Sequence, residues 1–525
     1  MGNMARLLYP IGIQNFREIR EGGYVYVDKT EYIHRLATSG KYYFLSRPRR
    51  FGKSLLLSTI ECLFKGDRQL FDGLAISALW QDWTPAPVMH LDLTGSNYNT
   101  PGSLRTHLDD FLSGWEAEYG IVPKHREALG LRFGRVISEV HRQTGQRVVI
   151  LVDEYDKPLL ETADRPELQE EYRGDLRSFY SNLKSQDGHI RFAMLTGVTK
   201  FGHLSIFSDL NNLHDISMDR HCAGICGVTG EELNVYFHEG VEGFARANRL
   251  GVSEAYAVLK ENYDGYHFST VDFTDVYNPF SLLNCLSNQM AGAYWFRTGT
   301  PAFLIRMMRS GHLELQTLGT YRIDAESLSD VQLDLKNYIP VLYQSGYLTI
   351  KEYSPEFDIV TLGFPNKEVT TGFFKHLLAM YTPLTEQKTS FEISRFVMDV
   401  QEGRAEDFMT RLQSLFADFQ YDAFELRRLE QHYQDVIYIV MKLLGFHVHT
   451  EYRTATGRID LLITTSDYIY IFEFKIDKSA QEALEQIKAK KYLLPFRADG
   501  RKIVEIGANF SSAARGLDSW IINEE

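Results

Sequence analysis

Three adjacent residues, Gly52, Lys53 and Ser54, have the types and order that a phosphate-binding loop requires. In such a loop the backbone N–H groups receive phosphate, the lysine reaches the outer phosphates and the serine hydroxyl binds Mg²⁺. Arg47 occupies the first glycine position of the pattern, and Pro48 stiffens the loop. The match is therefore incomplete, and a basic turn in which Gly52 permits a tight bend explains these residues equally well.

Two carboxylates, Asp153 and Glu154, follow the apolar run from Val149 to Val152. They would lie at the C-terminal end of a strand, where open α/β sheets bind their ligands. There Asp153 would assist a Mg²⁺ shell, and Glu154 would polarise the water that attacks a phosphoanhydride. A polar strand end that caps the next turn is the alternative. Thr196 and Thr199 end a further strand and are candidates to contact a γ-phosphate, although threonine at a strand end is more often structural.

A second set of residues could cleave a phosphodiester. Strand alternation places Glu473 and Lys475 on one face of the segment YIYIFEFKI, and Asp460 lies on the preceding predicted strand. Two carboxylates and a lysine can hold one or two Mg²⁺ ions while the lysine orients or activates the attacking water. The pattern alone is weak, because charged residues alternate with apolar ones on many exposed strands.

The elements that must position the phosphate loop are predicted to form a parallel sheet. Strand-like runs cover residues 41–45, 88–93, 147–154 and 190–197, and stretches compatible with helices separate them. This order predicts an α/β fold with the parallel sheet of a P-loop NTPase and crossover helices. The helix-compatible residues 55–65 follow the loop, so strand, loop and helix stand in the required order.

Residues from about 286 to 410 are mostly helical in periodicity, with one exception. Residues 335–366 predict a helix, a strand LTIKEY, a turn at Ser354-Pro355 and a second strand DIVTLGF. This order indicates a winged helix. Lys336 is the only basic residue of that helix in the sequence, so we favour packing against the nucleotide domain over contact with nucleic acid.

The segment around Asp460 has its own predicted elements. Residues 425–445 have apolar positions at helical spacing and end at Gly445, a plausible C-cap. The segment EYRTATGRIDLLIT then leads through a turn at Ser466-Asp467 into YIYIFEFKI, which predicts a hairpin of β-prone strands. This order predicts a helix followed by a hairpin that carries the acidic residues.

Composition and charge narrow the class of protein. The chain has 525 residues, which predicts about three domains, and its net charge is −13 from 56 basic and 69 acidic residues. This charge argues against a protein whose whole surface binds nucleic acid, but it is compatible with a local basic groove. Near the second set of residues, Arg458, Lys488, Lys490 and Lys491 would provide at most a modest basic surface for phosphates. Four scattered cysteines, no signal-like start and no long apolar run predict a soluble cytoplasmic protein without a membrane partner.

Six sequence blocks stand in order over about residues 9 to 285: YPIGIQNFREIREGGYVYVDKT, SRPRRFGKS, LVDEYDKPL, LTGVTKFGHLSIFSDLNNLHDIS, YDGYHF and YNPFSLL. Together these blocks resemble the bacterial AAA-ATPase-like family. Members of this family carry RPRRFGKS in place of the full glycine-rich loop, so the resemblance makes the missing glycine a family trait. It implies ATP binding at Lys53, Ser54, Asp153 and Glu154, and it leaves hydrolysis open.

The arginines of the loop have two interpretations under this resemblance. Arg47, Arg49 and Arg50 either supply charge where a standard loop supplies N–H groups, or they are structural anchors. No arginine finger is assigned, since Arg297 and a residue from a neighbouring subunit are both guesses. Replacement of Arg49 and Arg50 one at a time would separate the two interpretations.

The segments GRIDLLI, IFEFKI and ALEQIKAKKY resemble the PD-(D/E)xK nuclease superfamily, a restriction-endonuclease-like α/β fold often fused C-terminally to this ATPase family. The resemblance implies roles for Gln486 on the following helix and for Glu430 as another acidic metal ligand, although a solvent-facing glutamate is the alternative for Glu430. Ile459-Asp460 replaces the proline-aspartate of the superfamily name. Either the site is a working nuclease, or the fold is retained for binding.

These features together predict three domains, residues 1–285, 286–410 and 411–525. We expect ATP binding or hydrolysis in the first, coupling in the second and a Mg²⁺-dependent DNA nuclease, with Mn²⁺ as a substitute metal, in the third. Anti-phage defence or mobile-element biology is the expected setting, by analogy alone. The alternative is an ATP-dependent switch or homo-oligomeric scaffold with a non-cleaving C-terminal domain. A DNA-translocating motor would require rings and arginines acting between subunits.

Overall fold

The computed structural model describes most of the chain, in the ranges 8–124, 127–201, 213–296, 318–329, 338–381, 386–417, 436, 438–443, 447–454, 457–513 and 516–524. It divides into two compact units, Met1–Val369 and Thr370–Glu525. The boundary between these units falls inside the predicted coupling region 286–410. The predicted division into three domains stays a prediction.

Unit 1 is built on a five-stranded parallel sheet in the order β2-β3-β4-β1-β5. Its strands are β1 (Tyr42–Ser46), β2 (Val88–Asp92), β3 (Val148–Asp153), β4 (Ile190–Gly197) and β5 (His214–Asp215). The four predicted strands are confirmed to within one residue at each end. Strands β1 and β3 are buried along their whole length, which explains their continuous apolar sequence.

Helices surround this sheet. They are α1 (Phe16–Glu21), α2 (Thr30–Ser39), α3 (Lys53–Phe64), α4 (Ile76–Leu79), α5 (Ser103–Glu118), α6 (Leu129–Thr144), α7 (Lys157–Glu161), α8 (Pro166–Tyr180) and α9 (Asn182–Ser185). Helix α3 is the predicted helix after the phosphate loop, and it starts two residues earlier than expected. The sheet, the loop and α3 give the α/β architecture expected of a P-loop NTPase.

A helical layer follows the sheet in sequence. Three helices, α10 (Gly230–Asn248), α11 (Val252–Tyr263) and α12 (Pro279–Asn288), enclose an apolar cluster that includes Phe237, Leu259 and Leu282. Short strands β6 (Val228–Thr229) and β7 (Val276–Tyr277) pair antiparallel beside it. A Thr229 and Glu232 capping box fixes the start of α10.

The winged-helix-like order of the middle region is confirmed. Helix α14 (Ile339–Gln344) precedes strands β9 (Thr349–Ser354) and β10 (Ile359–Gly363), which form an antiparallel hairpin. Strand β8 (Tyr321–Asp324), which the sequence did not predict, adds to β10 and is followed by α13 (Ala325–Ser329). All of these elements belong to unit 1.

Helix α15 (Lys367–Tyr381) begins in unit 1 and continues into unit 2. Unit 2 then contains α16 (Glu386–Gln401), α17 (Ala405–Ala417) and a five-stranded sheet in the order β11-β12-β13-β14-β15. Its strands are β11 (His447–Thr454), β12 (Gly457–Thr464), β13 (Tyr468–Ile476), β14 (Lys502–Ser511) and β15 (Gly516–Glu524). Helix α18 (Ala480–Ala489) connects β13 to β14 and packs on both of them.

Two predictions for unit 2 can be compared with this fold. The hairpin across Ser466-Asp467 is confirmed, because β12 and β13 pair antiparallel. Of the predicted helix 425–445, the described residues 436 and 438–443 are helical, and Gly445 lies outside the described residues. None of the described helices has the length and apolar character that a membrane span requires.

Candidate functional site

The loop between β1 and α3 turns through two residues in the left-handed region. Arg50 has φ of +66° and Gly52 has φ of +99°. A Cβ at Gly52 would meet nothing within 4 Å, so the glycine is needed for its backbone conformation and not for space. The turn directs the N-terminus of the twelve-residue helix α3 toward the C-terminal ends of the strands. Such a helix start provides N–H groups for an anion.

Lys53 is held inside this loop. Its ammonium donates to the carbonyl oxygens of Arg47 at 3.0 Å and Pro48 at 3.3 Å. It also lies 3.1 Å from Glu154 Oε1, and only 3% of the lysine side chain is exposed. The structure thus brings together the two residues predicted to bind phosphate and to polarise water. Glu154 itself is in the left-handed region, with φ of +51°.

Asp153 lies at the end of β3 with two hydroxyl partners. Thr196 Oγ1 donates to Asp153 Oδ1 at 2.6 Å, and the Ser54 hydroxyl hydrogen-bonds to the same carboxylate. Burial, followed by the charge of Glu154, raises the pKa of Asp153, while the two hydroxyls oppose that rise. Ser54, Asp153 and Thr196 therefore form one cluster beside Lys53. The side-chain oxygens of this cluster are suitable ligands for Mg²⁺.

Thr199 donates hydrogen bonds to the carboxylate of Asp156, a residue that was not among the candidates from the sequence. Asp156 is buried and accepts from the Thr199 N–H at 2.6 Å, the Thr199 hydroxyl at 2.7 Å and the Val198 N–H at 3.1 Å. Burial, then Glu154, raises the pKa of Asp156 to about 6. The acidic cluster in LVDEYDKPL was the signal, but sequence alone could not show which carboxylate faces the turn after β4.

The three arginines of the loop have different environments. Arg47 is 1% exposed, and its guanidinium donates to the carbonyl oxygens of Ser46, Ser217 and Cys222. Arg49 and Arg50 are exposed. Arg50 lies 3.9 Å from the centre of the Phe280 ring, a cation–π contact. Only Arg49 and Arg50 therefore present charge at the surface of the loop, and Arg47 lies in an anchoring position.

An apolar cavity of about 100 Å³ adjoins the phosphate loop. Apolar side chains from several segments line it, among them Val25, Val27, Phe51, Leu55, Ile225, Val228, Pro279 and Leu283. Gly52, the residue before α3, also lines the cavity, so the cavity reaches the start of that helix. Flat, largely apolar groups bind in pockets of this character.

In unit 2, the four sequence-predicted residues that the structure describes are brought together. Lys475 Nζ lies 2.9 Å from Glu473 Oε1 and 2.8 Å from Gln486 Oε1. The Gln486 amide also donates to Glu473 Oε1. Asp460 Oδ2 accepts from the Phe474 N–H at 2.8 Å, which ties β12 to β13 at this point. Glu430 and Arg297 lie outside the described residues.

One oxygen of the buried Glu473 carboxylate lacks a hydrogen-bond partner among the described residues. Glu473 is 2% exposed, and among the described residues its Oε2 has no hydrogen-bond partner. Burial, then the charge of Asp460, raises the pKa of Glu473 to about 7. A buried carboxylate oxygen without a partner is costly, and a bound cation would remove that cost.

The donors present fit Mg²⁺. Mg²⁺ binds in proteins through one or two carboxylates together with water, and Asp460 and Glu473 supply that number. Within the part of the chain that the structure describes, no group of three or more His, Cys, Asp or Glu side chains could hold a metal ion. The carboxylate oxygens of Asp460 and Glu473 are ligands of the type that Mg²⁺ and Mn²⁺ prefer, whereas structural Zn²⁺ sites use mainly nitrogen and sulfur ligands.

Tyr492 supports this site and was missed in the sequence analysis. Its buried hydroxyl donates to the Arg458 carbonyl at 2.6 Å and hydrogen-bonds with Gln486. Tyr492 thereby connects β12 to the amide that holds Glu473 and Lys475. It is the last residue of ALEQIKAKKY, but only the folded helix shows that it reaches the preceding hairpin.

Comparisons with known proteins match both parts of the chain. A family model described as a predicted AAA-ATPase matches residues 10–207, and a PD-(D/E)XK nuclease superfamily model matches residues 428–520. An uncharacterized protein in the vnfD 5′ region of Azotobacter chroococcum mcd 1 is 36% identical over 99% of both chains. The chain belongs to the AAA-ATPase-like family. In this AAA-ATPase-like chain, a PD-(D/E)XK nuclease-superfamily domain follows, and the family and fold class predicted from sequence are confirmed.

Two solved structures of archaeal proteins resemble this AAA-ATPase-like chain weakly. The Aeropyrum pernix ORC1 protein in complex with DNA matches at 11% identity and a TM-score of 0.25, over 82% of this chain and 87% of that one. CDC6P from Pyrobaculum aerophilum matches at 13% identity and a TM-score of 0.22, over 70% and 92%. Likenesses at these scores carry no argument about function.

Proposed function

We propose that this chain binds and hydrolyses ATP in unit 1, and that its nucleotide state controls a Mg²⁺-dependent DNA nuclease in unit 2. The observation that carries the proposal is the buried Glu473 carboxylate, held by Lys475 and Gln486 beside Asp460, in a chain that also has an assembled phosphate loop. A genome-defence or mobile-element setting, in the cytoplasm, is part of the proposal and rests on family resemblance.

The triphosphate binds at the start of α3. Lys53 exchanges Glu154 for the outer phosphates, because a phosphate carries more charge than one carboxylate and accepts from the loop N–H groups as well. Ser54 and Asp153 would hold Mg²⁺ next to those phosphates. Arg49 and Arg50, which are exposed at the loop, add positive charge.

The nucleotide base occupies the apolar cavity at Gly52. The cavity reaches the helix start that receives the phosphates, so one ligand fills both places. Its lining by Val27, Leu55 and Leu283 suits the faces of a purine ring, whose burial contributes to affinity through the hydrophobic effect. This placement supports a nucleotide, in preference to inorganic phosphate, as the ligand.

Hydrolysis depends on the release of Glu154. While Glu154 is paired with Lys53 it cannot orient a water, and phosphate binding frees it at the C-terminal end of β3. Thr196 holds Asp153 in place during this exchange. The same groups thus account for binding and for a hydrolysis step that begins only when nucleotide is present.

In unit 2, Asp460 and Glu473 would hold Mg²⁺ or Mn²⁺, which supplies a Lewis acid for phosphodiester hydrolysis when bound. Lys475 orients the attacking water from a position fixed by Gln486. Gln486 is fixed in turn by Tyr492. The substrate is DNA in this proposal, and the modest basic surface around Arg458 and Lys490 would contact its phosphates.

Cleavage of plasmid and single-stranded DNA with Mg²⁺ and ATP tests the nuclease. We expect wild type to cut at least one substrate and Lys475→Ala to lose a hundredfold or more of the rate, since the water loses its orienting group. Lys478→Ala, which removes a lysine from the turn after β13, is the matched control and should cut normally. Equal inertness of wild type and Lys475→Ala on every substrate would leave the nuclease proposal without support.

One observation favours a non-cleaving domain as the second candidate. Lys475 and Gln486 already hydrogen-bond to each other and to Glu473 Oε1, and a network of this kind also stabilises a fold that only binds. In that case unit 2 recognises a partner, and the nucleotide acts as a switch or promotes homo-oligomer formation. Cleavage by wild type and Lys478→Ala but not by Lys475→Ala supports the nuclease. Equal inertness of wild type and Lys475→Ala supports the domain that only binds.

A further inference from the structure

We propose that Trp295 and Glu368 are positioning residues for the phosphate loop and that they pass its nucleotide state to α15, the helix that leaves unit 1. The inference rests on the proposed ATP binding. Trp295 contacts the loop on one side and Glu368 on the other. Neither residue contributes to the sites described above.

Trp295 holds one peptide plane of the loop. Its indole Nε1 donates to the Arg49 carbonyl at 3.0 Å. In a trans peptide the C=O of Arg49 and the N–H of Arg50 point in opposite directions, so this bond also sets the direction of the Arg50 N–H. Arg50 is the residue at which the loop enters the left-handed region, two positions before Gly52. Trp295 therefore helps to set the turn that presents N–H groups to phosphate.

The Trp295 side chain is itself immobilised. It is buried, and its ring centre lies 5.3 Å from that of Tyr347, which follows α14. Gly346, beside Tyr347, is packed so closely on the loop that an added Cβ would lie 2.8 Å from Pro48. The winged-helix-like elements thus contact the phosphate loop both directly and through Trp295.

Glu368 holds the backbone of Trp295. Glu368 Oε1 accepts from the Trp295 N–H at 2.7 Å, and the carboxyl also accepts from the N–H groups of Tyr294 and Phe296 and from the Ser281 hydroxyl. A buried carboxyl surrounded by four donors has one well-defined orientation. A shift of the Trp295 backbone would therefore move or break the hydrogen bond to Glu368.

Glu368 lies in the first turn of α15, which a second side chain also ties to unit 1. Asn366 Oδ1 accepts from the Val369 N–H at 3.1 Å, and its Nδ2 donates to the Asp264 carbonyl at 2.9 Å. Helix α15 then continues across the boundary at residues 369 and 370 to Tyr381. A change in the loop has a continuous hydrogen-bonded route of two residues, Trp295 and Glu368, to the start of this helix.

The test uses the full chain and two matched tryptophan variants. Trp295→Phe removes the indole donor and keeps an aromatic ring against Tyr347. Trp80→Phe is the control, because Trp80 is also buried in unit 1 but its Nε1 has no hydrogen-bond partner among the described residues. We expect Trp295→Phe to weaken ATP binding about tenfold by calorimetry and Trp80→Phe to leave it unchanged, at similar melting temperatures.

Hydrogen exchange of residues 367–381 with and without ATP gives the readout that a merely structural role would not change. We expect ATP to alter exchange there in wild type and in Glu368→Gln, which keeps an acceptor for the Trp295 N–H. The response should disappear in Trp295→Phe and Glu368→Ala. Equal ATP affinity in Trp295→Phe and wild type, or no ATP response at 367–381 in wild type, overturns the inference. Failure of wild type to bind ATP at all would instead overturn the proposed function, and this inference with it.

Discussion

Arg47 and Lys53 are both buried cations of the phosphate loop, but their partners differ. The Arg47 guanidinium donates to three carbonyl oxygens and lies 4.1 Å from the centre of the Phe268 ring. These partners are part of the fold and cannot leave. Lys53 has a carboxylate partner, Glu154, on a side chain that can turn away. Of the two cations, Lys53 is thus the one that can transfer to a ligand, and Arg47 keeps the loop in shape.

The pair of Lys53 and Glu154 leads to a prediction for Glu154→Gln. The glutamine keeps the size of the side chain but pairs less strongly with the lysine and cannot serve as a base. We expect ATP affinity equal to or above that of wild type, with phosphate release slowed at least a hundredfold. Calorimetry and a phosphate-release assay measure the two effects separately.

Glu161→Gln provides the control for this prediction, because Glu161 is a glutamate of the neighbouring helix α7 that pairs with Lys157 and accepts from the Tyr98 N–H. It should hydrolyse ATP at the wild-type rate. If Glu154→Gln hydrolysed ATP normally while Lys53→Ala abolished binding, the loop would bind nucleotide but the attacking water would be oriented by another group.

At the scale of elements, Glu368 in helix α15 makes the free energy of unfolding depend on pH. Burial raises the pKa of Glu368 to about 7 from its usual 4.5. The folded state therefore keeps this proton between about pH 4.5 and 7, where the unfolded chain has released it. The unfolded state binds fewer protons in that window, so the free energy of unfolding falls as pH rises through it. The loss is about 3 kcal/mol at most, and it is complete above pH 7.

Glu368→Gln should remove that dependence, because its amide stays neutral. We expect the melting temperature of the variant relative to wild type to rise from pH 5 to about pH 7 and then to level off up to pH 8. Asp156 and Asp264 have pKa values raised to about 6 and contribute in the same direction, but they are present in both proteins and cancel in the difference. A constant difference across this pH range would contradict the assigned pKa of Glu368.

The elements themselves were largely predictable from the sequence. Strand β3 is buried on both faces, so its apolar run and its acidic end could be recognised without knowledge of its neighbours. The hairpin of β12 and β13 was equally clear from its alternation and turn. Strand β8 was missed, because its four residues, Tyr321–Asp324, are half-buried or exposed and carry no apolar run.

The side-chain roles were less predictable than the elements. Arg47, Asp156, Trp295 and Tyr492 all act through residues that are distant in the sequence. Asp156 meets Thr199, and Trp295 meets both Arg49 and Glu368. Residue type indicates that such groups need partners when buried, but only the fold determines which partners they have. The Thr199 hydroxyl donates to Asp156, and its role as a phosphate contact stays a prediction.

At the scale of the whole molecule, the chain forms two compact units, and the boundary between them along the chain falls within helix α15. Each unit has its own sheet and its own cluster of titratable residues. In the proposed function, ATP bound at the phosphate loop would act on the start of α15 through Trp295 and Glu368, and Asn366 also holds that helix start. Such coupling requires that ATP bind one state of the helix more tightly than another.

The last prediction concerns Lys53→Ala, which removes the only lysine of the phosphate loop. We expect loss of detectable ATP binding, and with it loss of any ATP effect on DNA cleavage and on the mass measured by light scattering. The Asp460, Glu473 and Lys475 cluster stays intact, so basal metal-dependent cleavage should continue at the rate of nucleotide-free wild type. Lys65→Ala, at the exposed end of α3, should behave like wild type in every assay. If Lys53→Ala instead retained full ATP-dependent cleavage, nucleotide control would not pass through this loop.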